Sequence, residues 1–551
     1  MREDLDNILL NVRKPARYIG NELNSVHKDW DKTAVKVALS YPDTYEIGMS
    51  NLAIQILYYI INNLDYALAE RVFAPLPDME QSLITHDLPL FSLESQRSLS
   101  DFDLIGFSLG HELTYTNIIN MLNLGGIPIY SKDRKDSDPL VMAGGPCAFN
   151  PEPLAEFIDF FVIGEAEEVV RSIIKILNNP EFGVRSTKLS ALSKIPGVYV
   201  PGISKQVKKQ SIKDLTNAPY PTKPIIPFVE AIHDRAVVEI MRGCKWGCKF
   251  CQAGWTWRPV RERSKEKVMQ LADELVKNTG YEEVSLISLS SSDYSAIEEV
   301  AKTLAQRYEK KRINLALPSM RTNSFSMKIA KEISRVRPSG ITLAPEAGTQ
   351  RLRDIIGKNM TENDIKEGVQ AALDGGIESF KLYFMIGLPT ETDEELLAIC
   401  DLAKKILNLA KDNHRRARVT INLATFIPKP HTPLQWSEQI GIEESLRRQR
   451  IIKDNAKAKN LQVKWHQAEA SFLEGVFSRG DKRLAKVIVK AWELGCRLDA
   501  WSEHFRFDLW LQAFQECGID PNEYLKSRPK DRPLPWDYVD TGVSKEILLR
   551  G

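Results

Sequence analysis

The chain has 551 residues, 43% of them hydrophobic and 27% charged, and its 74 basic and 73 acidic side chains leave a net charge of +1. That length exceeds one ordinary core and predicts two or three domains of soluble globular composition. The charge balance excludes a chain built around bulk phosphate binding, and seven cysteines with no even framework exclude a disulfide scaffold and predict a reduced, cytoplasmic setting.

The N-terminus is charged from Arg2 and has no apolar core like that of a signal peptide. The most apolar early stretch, 51–64, is interrupted by Gln and Asn and is too short to cross a bilayer, so no membrane partner is expected. Up to residue 202 strands and helices alternate. Residues 34–42 read as a strand ending at a Pro-Asp turn, and 49–64 have helical spacing of apolar residues. Strand-like runs follow at 67–75, 102–110 and 139–146, with a helix at 112–126 and a strand-then-helix at 157–177. The alternation predicts a parallel sheet covered by helices. Ligands of such sheets sit beyond the C-terminal strand ends, which here carry Asp43, Ser108, Gly144, Gly145, Gly164 and Glu165.

Residues 203–229 are polar and proline-containing and read as a linker. A second alternating series follows over 230–440. Its strand-like runs are 236–244, 283–291, 313–320, 340–348, 379–389 and 418–428. Six strand–helix units predict a partial (β/α)6 barrel whose site lies at the C-terminal strand ends. From 441 to 551 the chain reads as mainly helical, aromatic-rich and then an extended proline-rich tail, with Trp465, His466, Trp501 and Trp510 as core aromatics or a cap on the barrel mouth. The basic run 444–465 reads as a solvated helix face rather than a nucleic-acid surface.

The loop after the first barrel strand, MRGCKWGCKFCQAG, places Cys244, Cys248 and Cys251 in C-x3-C-x2-C spacing. Three thiolates on one short loop can hold three irons of a cubane [4Fe–4S] cluster and leave the fourth open to a small molecule. A structural zinc site would need a fourth ligand from a second pair, and Cys147, Cys400, Cys496 and Cys517 form none.

This region resembles radical S-adenosylmethionine enzymes: the triad with Phe250 before its last cysteine, and the Gly-Leu-Pro turn at Gly387–Pro389. The resemblance implies that Cys244, Cys248 and Cys251 ligate the cluster, that the open iron chelates S-adenosylmethionine, and that the Phe250 backbone lies near the adenine. It implies cosubstrate contacts from Ser290, Ser291, Ser292 and Asp293 at the second strand end, although the usual Gly-Gly-Glu is missing there. Ser319 and Arg321 would reach ribose or carboxylate, Glu346 the ammonium or ribose, and Gly387 and Pro389 would shape the approach to the adenine. His431 in the loop after strand six is a candidate substrate-side acid or base.

The first 202 residues resemble the flavodoxin-like cobalamin-binding domain fused to many such enzymes. Its signature is Asp-x-His-x-x-Gly, then Ser-x-Leu, then Gly-Gly. Here stand Asp43, Tyr45 and Gly48, then Ser108, then Gly144 and Gly145. Tyr45 replaces the histidine, so either cobalamin binds without it or the fold has outlived the cofactor. Methylthiotransferases carry three extra cysteines in the first domain, and only Cys147 is present here.

The expectation is thus a radical enzyme using a [4Fe–4S] cluster and S-adenosylmethionine, with cobalamin-dependent methylation as one outcome. Its electron donor would be a flavodoxin or ferredoxin. The alternatives are an iron–sulfur electron relay that does not cleave S-adenosylmethionine, and an RNA-modifying radical enzyme docking RNA on its C-terminal helices; the substrate and the nucleic-acid question stay open.

Overall fold

A computed structural model describes residues 2–319, 321, 340–413 and 415–550. The N-terminal sheet runs Ala67–Phe73, Val35–Tyr41, Leu104–Ser108, Leu140–Gly144, Phe160–Val162, Val198–Tyr199. Its first five strands are parallel and the last is antiparallel. This is the flavodoxin order 2-1-3-4-5, which switches direction between Val35–Tyr41 and Leu104–Ser108. The Ala67–Phe73 strand is buried throughout although it carries Glu70 and Arg71. Arg71 is held by Glu22 and Glu94, each at 2.7 Å, so the buried guanidinium is fully paired.

The barrel strands are parallel in two described groups. Ala236–Glu239, Glu283–Ile287 and Asn314–Ala316 form one, and Ile341–Glu346, Ser379–Ile386, Arg418–Thr425 and Leu461–Trp465 the other. The last strand departs from the expectation: the series does not end near residue 440. The helix Ile442–Asn455 stops, and Leu461–Trp465 returns to pair with Arg418–Thr425 in the register Val419 with Leu461. Five residues with two lysine- or glutamine-bearing positions give too weak a period-two signal to be read without the neighbouring strand.

The linker is built into the fold. Tyr220 Oη donates to Val237 O at 2.8 Å and accepts Glu239 N–H at 3.1 Å, capping the open edge of the first barrel strand. Val207–Lys208 pairs with Val539–Asp540 of the tail. The tail is anchored too, because fully buried Trp536 packs with Trp255 and Trp436 beneath the cysteine loop.

The C-terminal helices Ala468–Ser478, Leu484–Glu493 and Phe507–Glu516 complete the core of the N-terminal sheet rather than cap the barrel mouth. Phe472, Phe477, Val487 and Trp510 pack with Tyr115, Ile118 and Phe149. Trp492 Nε1 donates to Asn120 Oδ1 at 3.0 Å, and Asn150 donates to Ser478 O and Gly480 O, each at 3.0 Å. Trp465, by contrast, is 41% exposed.

Trp510 is 1% exposed, so Trp510→Ala should cost about 3–5 kcal/mol and lower hydrogen-exchange protection of 115–124 in the N-terminal half. Protection lost only within the C-terminal helices would contradict a shared core.

Candidate functional site

The cysteine loop is fixed at its base by a two-residue antiparallel ladder, Met241–Arg242 against Arg261–Glu262. Gly243 then takes φ +80°, and a Cβ there would stand 2.7 Å from both Trp257 O and Pro259 O. Only glycine turns the chain this close to the returning strand. Arg258 ties the two ends of the loop together, donating to Trp246 O and Gly254 O at 3.0 Å each while lying over the Trp255 ring. Trp255 Nε1 donates to Cys248 O at 2.9 Å, and Lys249 N–H to Ile356 O at 2.8 Å. Sequence reasoning gave Trp246, Trp255 and Arg258 no role; their closeness to the triad was the available signal.

The ladder is gripped from the other half of the chain. Glu165, 5% exposed just beyond the Phe160–Val162 strand, accepts Arg261 Nη1 at 2.8 Å and Ile212 N–H at 2.7 Å and pairs with Arg242 at 3.2 Å. Arg242 also pairs with Glu167 at 2.6 Å and Glu239 at 2.8 Å.

All three cysteines are free thiols; Cys248 is buried and the other two half-buried. Cys251 caps the helix Gln252–Thr256, its Sγ accepting Gly254 N–H at 3.4 Å. Burial pushes its thiol up to about 11, against the Gly254 N–H, and the charges of Cys248, Cys244 and Glu346 add to the rise. Burial also raises Cys244, with Trp246 N–H and the Arg321 charge opposing and Cys248 and Asp293 reinforcing. The triad, Asp293, Arg321 and Glu346 therefore share one electrostatic site. Among the described residues, the trio of ligating atoms mutually within 4.8 Å is His111, Glu112 and Glu474, not the triad. The donor set, three free thiols on one short loop, fits ligands of separate irons of a cluster.

The strand ends bring most of the expected residues here. Asp293 accepts Ser290 Oγ and Trp246 Nε1 at 2.5 Å each and pairs with Lys245 at 3.0 Å. Arg321 lies over the Trp246 ring at 4.0 Å, donates to Asn359 O at 2.9 Å, and through its backbone N–H to Ser292 Oγ at 3.1 Å. Glu346, at φ +69°, pairs with Lys358 at 3.2 Å. Gly387, at φ +83°, donates its N–H to Glu391 at 2.6 Å; burial raises Glu391 to about 7 although that bond and Arg448 oppose the shift. Phe250 packs with Leu388, Met385 and Ala347, joining the cysteine loop to the turn that contains Pro389. Two residues serve the loops instead: Ser291 Oγ bonds Leu286 O at 3.2 Å, and Ser319 O accepts Ser291 N–H at 3.1 Å while Ser319 lines a separate cavity with Ser288.

His431 departs from the expectation. It is 5% exposed, its Nε2 lies 2.9 Å from Phe149 O, and burial lowers it to about 4. The bond ties the sixth-strand loop to the N-terminal half, a structural role that accounts for its burial.

The residues expected around a corrin are engaged by the protein itself. Tyr45, 2% exposed, donates to Glu22 at 2.9 Å and accepts Phe228 N–H at 3.2 Å, and burial raises its phenol further. Asp43 accepts Trp501 Nε1 at 2.7 Å and the Thr44 N–H at 2.7 Å. A Cβ on Gly48 would strike the Phe73 ring at 2.1 Å, and one on Gly145 the Leu109 carbonyl at 2.8 Å; Ser108 and Gly144 simply pair across adjacent strands. At the switch point Leu498 N–H reaches Asn117 at 2.8 Å, and Lys429 bridges Glu112 and Glu474 at 2.7 and 2.8 Å. These six residues, as placed, do not form a cobalamin cradle.

Two family models match the chain: Radical SAM proteins, N-terminal, over residues 53–201, and the Radical SAM superfamily over 238–403, which contains the triad. The chain belongs to the radical SAM superfamily. It is an enzyme of that superfamily, whose members use a [4Fe–4S] cluster and S-adenosylmethionine, and the passive electron-relay alternative falls away. An uncharacterized protein of Methanocaldococcus jannaschii is 29% identical over 500 residues, covering 90% of this chain and 100% of that one. An uncharacterized methyltransferase of Pyrococcus horikoshii is 24% identical over 278 residues, 48% of this chain and 58% of its own length. The solved structure of the cobalamin-dependent S-adenosylmethionine radical enzyme OxsB matches 93% of this chain and 76% of its own with TM-score 0.51 at 13% identity, a likeness of fold alone. Among the described residues no helix is long and apolar enough to cross a membrane.

Glu165→Ala leaves Arg261, 8% exposed, without its carboxylate. It should cost about 3–5 kcal/mol and accelerate iron loss from reconstituted enzyme; unchanged iron retention would detach the ladder from the triad. His431, lowered to about 4, binds fewer protons folded than unfolded between that value and about 6.5. Its contribution to stability is therefore present above about pH 6.5 and lost as pH falls toward 4. His431→Asn should flatten the stability slope in that window and leave the rate within about tenfold, short of the ~10²–10⁴ loss of a true acid–base group.

Proposed function

We propose that Cys244, Cys248 and Cys251 hold the [4Fe–4S] cluster and that the surrounding strand ends bind S-adenosylmethionine for radical chemistry on a substrate still to be identified. The observation that carries this is three free thiols on one fixed loop whose Trp246 joins Asp293 and Arg321, from two different strand ends, to the triad. When bound, the reduced cluster supplies the electron that cleaves the sulfonium and releases a 5′-deoxyadenosyl radical.

The chain's own residues bind and orient. Asp293, with Ser290 and Ser292 beside it, receives the cosubstrate ammonium. Arg321, held over Trp246, takes the carboxylate as a planar fork. Glu346 accepts ribose hydroxyls, its direction set by Lys358. Gly387 and Pro389 shape the adenine wall, which Phe250 and Leu388 line. Ser291 and Ser319 hold the loops in place. A flavodoxin or ferredoxin of the cytoplasm delivers the electron.

Methyl transfer through cobalamin is a second reading, supported by the 2-1-3-4-5 strand order and the OxsB-like fold. It requires the Trp501 and Leu498 segment to leave the switch point, and no step is derived through it.

Enzyme reconstituted anaerobically with hydroxocobalamin, S-adenosylmethionine and a strong reductant should yield 5′-deoxyadenosine, and Cys→Ala at any triad position should abolish cluster retention and that product. A triple variant that still makes it ends the proposal. S-adenosylhomocysteine appearing only with cobalamin would select the second reading; its absence leaves hydrogen abstraction and rearrangement.

A further inference from the structure

The inner face of the first three barrel strands opens away from the triad into a cavity. In the register of the first two strands Val237 stands beside Ser285, with Ile287 two residues further along the same face. Ala236, Val238, Val284 and Leu286 belong to the core shared with the covering helices. Val237 and Ile287 therefore face the barrel interior. With Ser288, Pro318 and Ser319 they line a cavity of about 310 Å³, closed outside by the linker from Tyr220 to Pro227 and by Met49–Gln55 of the N-terminal half. A second cavity of about 380 Å³ runs outward between the linker and the helix Leu52–Asn62. Met49, Gln55, Pro221, Pro224 and Ile225 line both, so the two adjoin at these side chains. Together they fall within the size of small-molecule sites, about 300–1,000 Å³.

The lining is rich in rings and nearly free of uncompensated charge. Tyr58, Tyr59, Tyr220 and Tyr281 stand along it with four prolines. Arg71 is cancelled by Glu22 and Glu94, and Arg235 by Glu283 at 3.0 Å. His233 Nδ1 accepts from Arg235 Nη2 at 2.9 Å, and burial and the Arg235 charge lower its affinity for a proton. Lys223 sits at the exposed outer end. The polar groups inside are neutral: Gln55 at the junction, whose Nε2 is committed to Met49 O at 2.9 Å and whose carbonyl remains as acceptor, the Ser319 hydroxyl, and the Ser288 hydroxyl, which donates to Ser291 Oγ at 3.2 Å and accepts Ser290 N–H at 3.0 Å. On the same inner face Ser285 Oγ is buried without a hydrogen-bond partner.

The inner end adjoins the cosubstrate loops. Ser291 N–H bonds Ser319 O, and Arg321 N–H bonds Ser292 Oγ, so the loop 288–293 is tied to Ser319 and to Arg321. Ser288 and Ser319 face the cavity, whereas Asp293 and Arg321 act on Cys244.

We propose that this channel is the substrate site and that it takes a neutral, planar ring compound, admitted between the linker and the helix Leu52–Asn62. The proposal rests on the radical reading of the triad. A substrate entering this way reaches the strand ends without displacing the C-terminal helices. An uncompensated anion or cation would find no counter-charge along the inner cavity and would lose its hydration.

The probe is 2-naphthol, followed by its fluorescence on reconstituted full-length enzyme, with 2-naphthalenesulfonate as its charged counterpart. One naphthol should bind per chain, and the sulfonate at least about tenfold more weakly. Gln55→Trp and Ser50→Trp, which fill the channel, should each weaken naphthol at least about tenfold while cluster iron and uncoupled 5′-deoxyadenosine are retained. In the unmutated enzyme naphthol should slow hydrogen exchange at 52–62 and 220–227, a readout independent of whether the variants fold. Equal sulfonate binding, naphthol binding unaffected by either filling substitution, or protection elsewhere overturns the proposal. Naphthol binding in the channel with no 5′-deoxyadenosine would sink the radical reading and leave the cavity standing; 5′-deoxyadenosine without channel binding sinks the cavity alone.

Discussion

The arrangement hangs on the Glu165 carboxylate. It lies at the C-terminal end of the N-terminal sheet yet grips Arg261 and Arg242, the two residues that pair across the base of the cysteine loop. Such a carboxylate, 5% exposed, is tolerable only when its guanidinium partners are fixed. The N-terminal half thus sets where the triad stands relative to the barrel strands. His431 on Phe149 O and Lys429 on Glu112 repeat the device one loop further round. The strand ends of both sheets meet in a shared polar seam, and the thiols sit at its barrel side.

The same seam fills the switch point of the flavodoxin-type sheet with side chains of the protein itself. Its switch point is where such a sheet ordinarily meets a ligand. Here Trp501, Leu498, Glu474 and Lys429 supply the partners that a ligand would, and the C-terminal helices bury their apolar faces against the sheet's helices. Two cavities bordered by the N-terminal half lie beside the linker, on the flank facing the first barrel strand. Tyr220 makes that possible: by capping the strand edge with one hydroxyl, it holds the linker against the barrel's side while leaving room on the interior face.

Much of this was legible. The triad spacing put three thiols on one loop, and the runs at 236–244, 283–291, 379–389 and 418–428 announced strands because apolar residues recur at alternate positions, as burial does in Ser379–Ile386 and Arg418–Thr425. Asp293, Arg321 and Glu346 do stand at strand ends, as their places in the sequence suggested. Leu461–Trp465 stayed hidden because an exposed edge strand has little hydrophobic signal of its own. Tyr45 was read as an altered cofactor ligand, whereas its environment comes from Glu22 and Phe228, 23 and 183 residues away. His431 was read as a mouth residue for the same reason: its partner Phe149 is 282 residues distant.

The sequence by itself determined the class of chemistry, because the spacing of three thiols and the Gly-Leu-Pro turn are local properties of a few covalently close residues. It also determined the alternation of strand and helix, which depends on hydrophobic period alone. Only the tertiary structure decided that the C-terminal helices belong to the N-terminal core, that the switch point is filled from within, and that a neutral channel opens beside the linker. Those outcomes rest on burial and pairing between residues hundreds of positions apart, and the free energy of such contacts exists only once the chain has closed the loops between them.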